Sequence, residues 1–153
     1  MNVPVSLPEP VEGECPSSGR PVLRVLYVDD DRINTLLFVE VCKADQRLAV
    51  VTAASGEDAL ETARETRPHV LVVDLHMPDT DGLALLPRLR QLDGLAQAPA
   101  FLCTAEQLEE VQAPAQQAGF DGVWIKPVDL PAIRRELVRV GMMPVDNSTA
   151  VSP

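Results

Sequence analysis

Apolar residues gather in five short, nearly continuous runs: VLRVLYV (22–28), LAVVTA (48–53), HVLVVD (69–74), AFLCTA (100–105) and GVWIK (122–126). Runs of this length, without polar alternation, mark parallel strands covered on both faces. Between them the spacing turns helical. Ile33, Leu36, Leu37 and Val41 predict the inward face of one helix, and Leu130, Ile133, Leu137 and Val140 that of another. Ser55 followed by Asp58 resembles a capping box opening a helix through about Thr66, and Gly82 to Leu92 and Gln107 to Ala118 supply two more.

Five βα units in succession force right-handed crossovers and give an α/β fold, a doubly wound five-stranded parallel sheet with helices on both faces. Ligand sites on such sheets lie at the carboxyl ends of the strands. The pattern fades at both termini. Residues 1–21 hold Pro4, Pro8, Pro10, Pro16 and Pro21 among Glu, Ser and Gly, a composition that buries too little apolar area to offset its ordering entropy. After Gly141 the periodicity is lost again. The expected division is a disordered tail over 1–21, one folded domain over 22–141 and a flexible tail over 142–153. At 153 residues and 46% hydrophobic content, the chain suits one compact domain and leaves no room for a second.

Composition then narrows the chemistry. The net charge is −10, with Lys and Arg scattered singly apart from Arg134 and Arg135, which argues against a phosphate-tracking surface for nucleic acid. Cys15, Cys42 and Cys103 are an odd set without C-x-x-C spacing, so neither a disulfide framework nor a zinc site is indicated and a reducing compartment is. No apolar stretch approaches the ~20 residues of a membrane span, and the N-terminus lacks the regions of a signal peptide. These features lead to the expectation of a cytoplasmic protein.

Polar groups collect where the strands end. The first run closes on Asp29 and Asp30, the third on Asp74, the fourth on Thr104 and the fifth on Lys126 followed by Pro127. Carboxylates converging on one rim repel one another and are costly to desolvate, so they require a counter-charge. Two are at hand: Lys126, and a divalent cation held by oxygen ligands. Few protein oxygens are offered, which suits Mg²⁺ better than Ca²⁺, since water or phosphate oxygens complete its octahedron. Zinc is disfavoured, because His69 and His76 are the only imidazoles and no thiol stands nearby in the pattern. His69, at the opposite rim, is expected to be simply solvated. In DLHMPDTDG (74–82) the chain must turn before Gly82 admits the next helix, and this loop should hold a backbone carbonyl near the metal.

The succession of VDDD after the first strand, DLHMPDTDG after the third, CTA after the fourth and KPV after the fifth resembles the CheY-like receiver domain of two-component response regulators, over about residues 22–141. That resemblance implies a flavodoxin-like sheet of order 2-1-3-4-5. It makes Asp74 the phosphoryl acceptor, and makes Asp30, Asp74 and the His76 backbone carbonyl direct ligands of Mg²⁺ or Mn²⁺. Asp29 would act through metal-bound water, Thr104 would hydrogen-bond a phosphoryl oxygen, and Lys126 would pair with Asp74 and then with the phosphoryl group. Asp31 falls outside the pocket and reads as a helix-start residue that accepts free backbone N–H groups before Ile33.

The same resemblance implies a phosphoacceptor that promotes its own phosphorylation and dephosphorylation, and not a conventional enzyme. Its phosphodonor would be an external histidine kinase or histidine phosphotransfer protein, since no histidine stands in a kinase-like helical context. Output would pass by contact to a downstream protein of unknown identity, because no DNA-binding or catalytic segment follows. A weak homodimer would use the face of helix 4, strand 5 and helix 5.

Some positions depart from the family pattern. Val123 stands where receivers usually carry an aromatic residue, and Trp124 beside it reads as a cap on the core. Pro114 should kink, shorten or roughen the fourth helix, whereas Pro87 lies nearer a helix start and should matter less. His76 and Glu106 flank the path of attacking water, which leads to an expectation of moderately fast self-dephosphorylation. A rival reading is a haloacid-dehalogenase-like phosphatase using Asp29 and Asp31 as D-x-D; it expects Thr where Ile33 stands and leaves DLHMPDTDG unexplained.

Overall fold

The computed structural model describes residues 22–142. The expected tail over 1–21, Cys15 within it, and residues 143–153 of the expected tail over 142–153 lie outside them; Met142 is the last residue of the final helix. Five βα units follow in order: β1 (Leu23–Val28), α1 (Arg32–Lys43), β2 (Leu48–Ala53), α2 (Gly56–Thr66), β3 (Val70–Asp74), α3 (Gly82–Leu89), β4 (Ala100–Thr104), α4 (Leu108–Ala118), β5 (Gly122–Ile125) and α5 (Leu130–Met142). All pairings are parallel, and the sheet order is β2-β1-β3-β4-β5. The order reverses between β1 and β3, the switch point at which a doubly wound sheet opens a crevice.

Alternation along the strands divides the core in two. Leu26, Val28, Leu71, Val73 and Leu102 face α2, α3 and α4, where they meet Leu60, Leu85, Leu86, Leu89 and Val111. Val25, Tyr27, Val70, Val72, Phe101 and Cys103 face α1 and α5 and pack on Phe38, Cys42, Ile133 and Leu137. Each large apolar side chain so buried contributes ~1.5–3 kcal/mol relative to exposure. Ser55 caps α2 as the sequence suggests, accepting from Asp58 N at 3.1 Å; in return the Asp58 carboxylate accepts from Ala54 N at 3.0 Å.

Helix α1 turns the other way from its apolar pattern. Ile33, Leu36 and Leu37 are 68%, 56% and 50% exposed, while Phe38 and Cys42 are buried. The phase is set at the first turn, where Asp31 Oδ1 accepts from Ile33 N and Asn34 N, and by Phe38, whose ring stacks on Tyr27 with centroids 4.2 Å apart. One aromatic ring that fills a prepared slot outweighs three aliphatic side chains left at the rim.

Helix α3 ends at Leu89, short of Leu92. Leu92 N bonds Leu89 O, Leu95 N bonds Leu92 O, and Gly94 at φ +82° lets the buried Leu95 return to the core. Pro87 therefore sits in the second half of an eight-residue helix rather than near its start. Helix α4 is neither shortened nor interrupted by Pro114. Pro114 and Glu110 are both exposed, so water can serve the carbonyl that loses its donor. Gly119 closes the helix at φ +107°, with its N–H on Ala115 O and Gln116 O.

His69 is not simply solvated. Its ring Nδ1 accepts from Arg24 N at 2.9 Å while its backbone N–H donates to Arg24 O at 2.8 Å, which pins the start of β3 to β1. Burial, then the Arg24 charge, holds its pKa below the ordinary histidine value.

Candidate functional site

The β1 ladder continues one residue past the strand, with Asp29 N on Ala53 O, and this carries the Asp29 carboxylate under the rim to 2% exposure. Its Oδ1 accepts from Asp31 N at 2.9 Å; its Oδ2 accepts from the Tyr27 hydroxyl at 3.0 Å and Asn34 Nδ2 at 3.4 Å. Asp30 is exposed beside it. On β3, Asp74 lies opposite Cys103 in register and is 7% exposed. Asp29, Asp30 and Asp74 each place a carboxylate oxygen within 4.8 Å of the others.

Lys126 answers that charge from just past the end of β5. Its backbone N–H bonds Thr104 O at 2.7 Å, which sets the start of the side chain, and Nζ lies 2.8 Å from Asp74 Oδ1 and 3.6 Å from Asp29 Oδ2. The peptide bond to Pro127 is cis. Burial pushes the Asp74 pKa above the usual carboxylate range; Lys126 opposes this, and the charges of Asp29 and Asp30 add to it. For Lys126, burial acts to lower the pKa, yet the hydrogen bond and charge of Asp74 and the charge of Asp29 leave it raised.

The loop after Asp74 is tied down on three sides. Asp79 Oδ1 and Oδ2 accept from Gly56 N and Glu57 N at 2.8 and 3.1 Å, so this loop supplies an acid to the N-terminus of α2. A Cβ on Gly56 would stand 2.5 Å from Thr80 Cγ2, so a larger residue there would have to displace the Thr80 side chain. Asp81 caps α3 through Ala84 N at 2.7 Å, and Gly82 N bonds Leu75 O at 2.7 Å. The His76 imidazole engages Glu106, Nε2 to Oε2 at 2.7 Å, bridging this loop to the one after β4 and standing outside the acid cluster. Thr104 is buried at the end of β4, and its hydroxyl accepts from Glu106 N at 3.1 Å.

The structure thus brings Asp29, Asp30, Asp74 and Lys126 into one crevice at the switch point, with Thr104 on the neighbouring strand and His76 in the adjoining loop. Asp31 stays outside, spent on capping α1, which removes the second acid of a D-x-D pair. Trp124 stacks on Phe101 at 4.6 Å and 9° on the α1/α5 side, whereas Val123 packs on the opposite side. Trp124 is therefore a core cap and does not stand in for an aromatic residue at 123. Tyr27, Asn34 and Asp79 were not singled out by sequence; the one available signal was a tyrosine inside an otherwise aliphatic run, two residues before Asp29.

The family model of the response regulator receiver domain matches residues 25–138. The chain belongs to that family. The transcriptional regulatory protein AfsQ1 of Streptomyces coelicolor is 37% identical over 120 residues, covering 76% of this chain and 51% of AfsQ1; the chain thus spans about half the length of that relative. Among solved structures, the chemotaxis response regulator CheY4 of Vibrio cholerae superposes with a TM-score of 0.72 at 26% identity, covering 78% of this chain and 98% of CheY4. The receiver domain of a sensor histidine kinase from Pseudomonas aeruginosa, described with a magnesium ion coordinated in its active site cleft, has a TM-score of 0.68 at 23% identity, covering 77% of this chain and 96% of that domain. Receiver domains are signalling modules of two-component systems and not conventional enzymes. The strand order is that of the CheY-like flavodoxin fold. Among the described residues, no helix is long and apolar enough to cross a membrane.

Proposed function

We propose that this receiver domain, residues 22–141, accepts a phosphoryl group on Asp74 from a phosphohistidine of a histidine kinase or phosphotransfer protein, in a reaction that depends on Mg²⁺ or Mn²⁺. One observation carries the reading: the buried Asp74 carboxylate lies 2.8 Å from the Lys126 ammonium and within a cluster of three acids. Three carboxylates against one ammonium leave a surplus of two negative charges in a partly dry crevice, and a divalent cation matches it. Among the described residues, no imidazole or thiol joins the cluster, so hard oxygen-seeking ions fit and zinc does not. Asp30, Asp74 and the His76 carbonyl would hold the ion directly, with Asp29 behind a water. Once bound, it supplies positive charge to the oxygens of the transferring phosphoryl group.

The remaining work falls to the chain's own residues. An ionised Asp74 oxygen attacks phosphorus, forming an O–P bond as the donor's N–P bond breaks, and the product is an acyl phosphate. Lys126 begins paired with Asp74 and ends paired with the new phosphoryl oxygens. Thr104, whose hydroxyl holds the Glu106 amide before transfer, donates to a phosphoryl oxygen after it, drawing the loop after β4 inward and shifting an equilibrium between two surfaces. With Val123 in place of an aromatic residue, that shift works through the loop and α4. Signalling then proceeds by protein contact, with a weak homodimer through α4, β5 and α5. His76 and Glu106 bind each other at the mouth of the site, and water that passes them hydrolyses the acyl phosphate at a moderately fast rate; persistence of the phosphoform for many hours after donor removal would contradict this.

The test is incubation with Mg²⁺ and acetyl phosphate or phosphoramidate, followed by intact mass. One added phosphoryl group that disappears in Asp74→Asn and on chelation supports the reading. Continuous turnover of phosphomonoesters would replace it with a hydrolase, and no mass gain would reduce the domain to an interaction module.

A further inference from the structure

Tyr27 is the chain's single tyrosine and sits near the carboxyl end of the interior strand β1, 5% exposed, where a hydroxyl without a partner would cost about 1–3 kcal/mol. Its hydroxyl is satisfied by an acid of the site, donating to Asp29 Oδ2 at 3.0 Å. The ring is held by stacking on Phe38 of α1, 4.2 Å between centroids at 11°. On another side it borders a cavity of about 430 Å³ between α1 and α5, and the one acceptor its hydroxyl meets among the described residues is Asp29 Oδ2.

An ionised carboxylate offers about four lone-pair positions. On Asp29, Oδ2 has Tyr27 and Asn34 as donors and Lys126 Nζ at 3.6 Å; among the described residues Oδ1 has Asp31 N alone. Oδ1 is thus the oxygen with capacity left for the hydration shell of a cation. We infer that Tyr27 is a positioning residue for the divalent cation: its hydroxyl engages Asp29 Oδ2, orients the carboxylate before the ion arrives, and keeps Oδ1 as the oxygen that serves the ion's water. This rests on the reading of Asp29, Asp30 and Asp74 as a cation site. Removing a hydrogen bond that orients a group at a metal site typically costs 10- to 100-fold in affinity. Tyr27's stack on Phe38 and Asn34's separate bond to Asp29 Oδ2 connect this acid to α1, the helix that presents Ile33, Leu36 and Leu37 to solvent.

The experiment is a calorimetric Mg²⁺ titration of the wild type, Tyr27→Phe, Asp29→Ala and the double variant, alongside urea unfolding of each without the ion. Tyr27→Phe keeps the ring stack and is expected to weaken Mg²⁺ binding about tenfold, while on the Asp29→Ala background the same change shifts affinity less than about twofold. A purely structural role would lower unfolding stability and leave the affinity ratio near one. A second measurement needs no variant: with ¹³Cζ-labelled tyrosine the wild type gives one resonance, which should shift with the midpoint of the calorimetric isotherm. Equal or tighter Mg²⁺ binding by Tyr27→Phe, or a resonance unmoved by saturating Mg²⁺, overturns the role of Tyr27 alone. No Mg²⁺ binding by the wild type would remove the cation site itself and Tyr27's role with it.

Discussion

The Lys126 ammonium lies 2.8 Å from Asp74 Oδ1, and it reaches there from the far side of β4, across one intervening strand. Its side chain is 24% exposed, so the pair is mostly dry and its charges are mutually dependent. Replacing Lys126 with Met keeps the apolar stem and removes the charge, leaving Asp74 and Asp29 buried against each other. Urea unfolding at neutral pH without divalent ions should show a loss of about 2 kcal/mol, and added Mg²⁺ should recover part of it.

Asp74→Asn should act in the opposite direction. Its carboxyl titrates above the usual range, first because of burial. A folded-state pKa above the unfolded value of ~3.9 means stability that is complete below that pH and lost as pH rises through the folded value. An amide never ionises and escapes the loss. In the absence of divalent ions, the Asn variant should melt higher than wild type at pH 7, and the gap should close as pH falls to about 4.

His69 gives the reverse dependence. Its Nδ1 must stay unprotonated to accept from Arg24 N, and burial lowers its pKa. Stability from this group is present above the unfolded value of ~6.5 and disappears as pH falls through the folded one. Thermal melts of His69→Ala should therefore lie below wild type at pH 7.5, with the difference shrinking at pH 5.5.

Arg90 binds four carbonyls. Its Nη1 donates to Leu95, Ala96 and Ala98, and Nη2 to Gly119, clasping the turn after α3 to the end of α4. Arg90→Ala should cost about 3 kcal/mol in urea unfolding. Arg90→Lys should recover little of it, since an ammonium cannot span the same fork. Phosphorylation of Asp74 should survive in both where the protein is folded.

Much of this architecture is written in the chain because both faces of each strand are covered: continuous apolar runs identify the strands, and their terminal residues bring Asp29, Asp30, Asp74, Thr104 and Lys126 to the switch-point rim. The outward turn of α1 is not legible, because Ile33, Leu36 and Leu37 match helical spacing as well as any buried stripe; only the capping bonds of Asp31 and the fit of Phe38 on Tyr27 choose the phase. Nor does spacing announce that Asp79 caps a helix 23 residues upstream, or that Tyr27 holds Asp29. Such partners come from tertiary closure. Proline in α4 misleads because its cost depends on whether the carbonyl it strands can reach water, and here both Pro114 and Glu110 lie exposed.

The most direct measurement fixes the position of the new bond. After treatment with acetyl phosphate and Mg²⁺, borohydride reduces an acyl phosphate to an alcohol, turning the acceptor aspartate into homoserine, which peptide mass spectrometry can locate. The account predicts homoserine at position 74 alone, in a Mg²⁺-dependent yield. Homoserine at Asp29 or Asp30, or equal yield with chelator present, would contradict it.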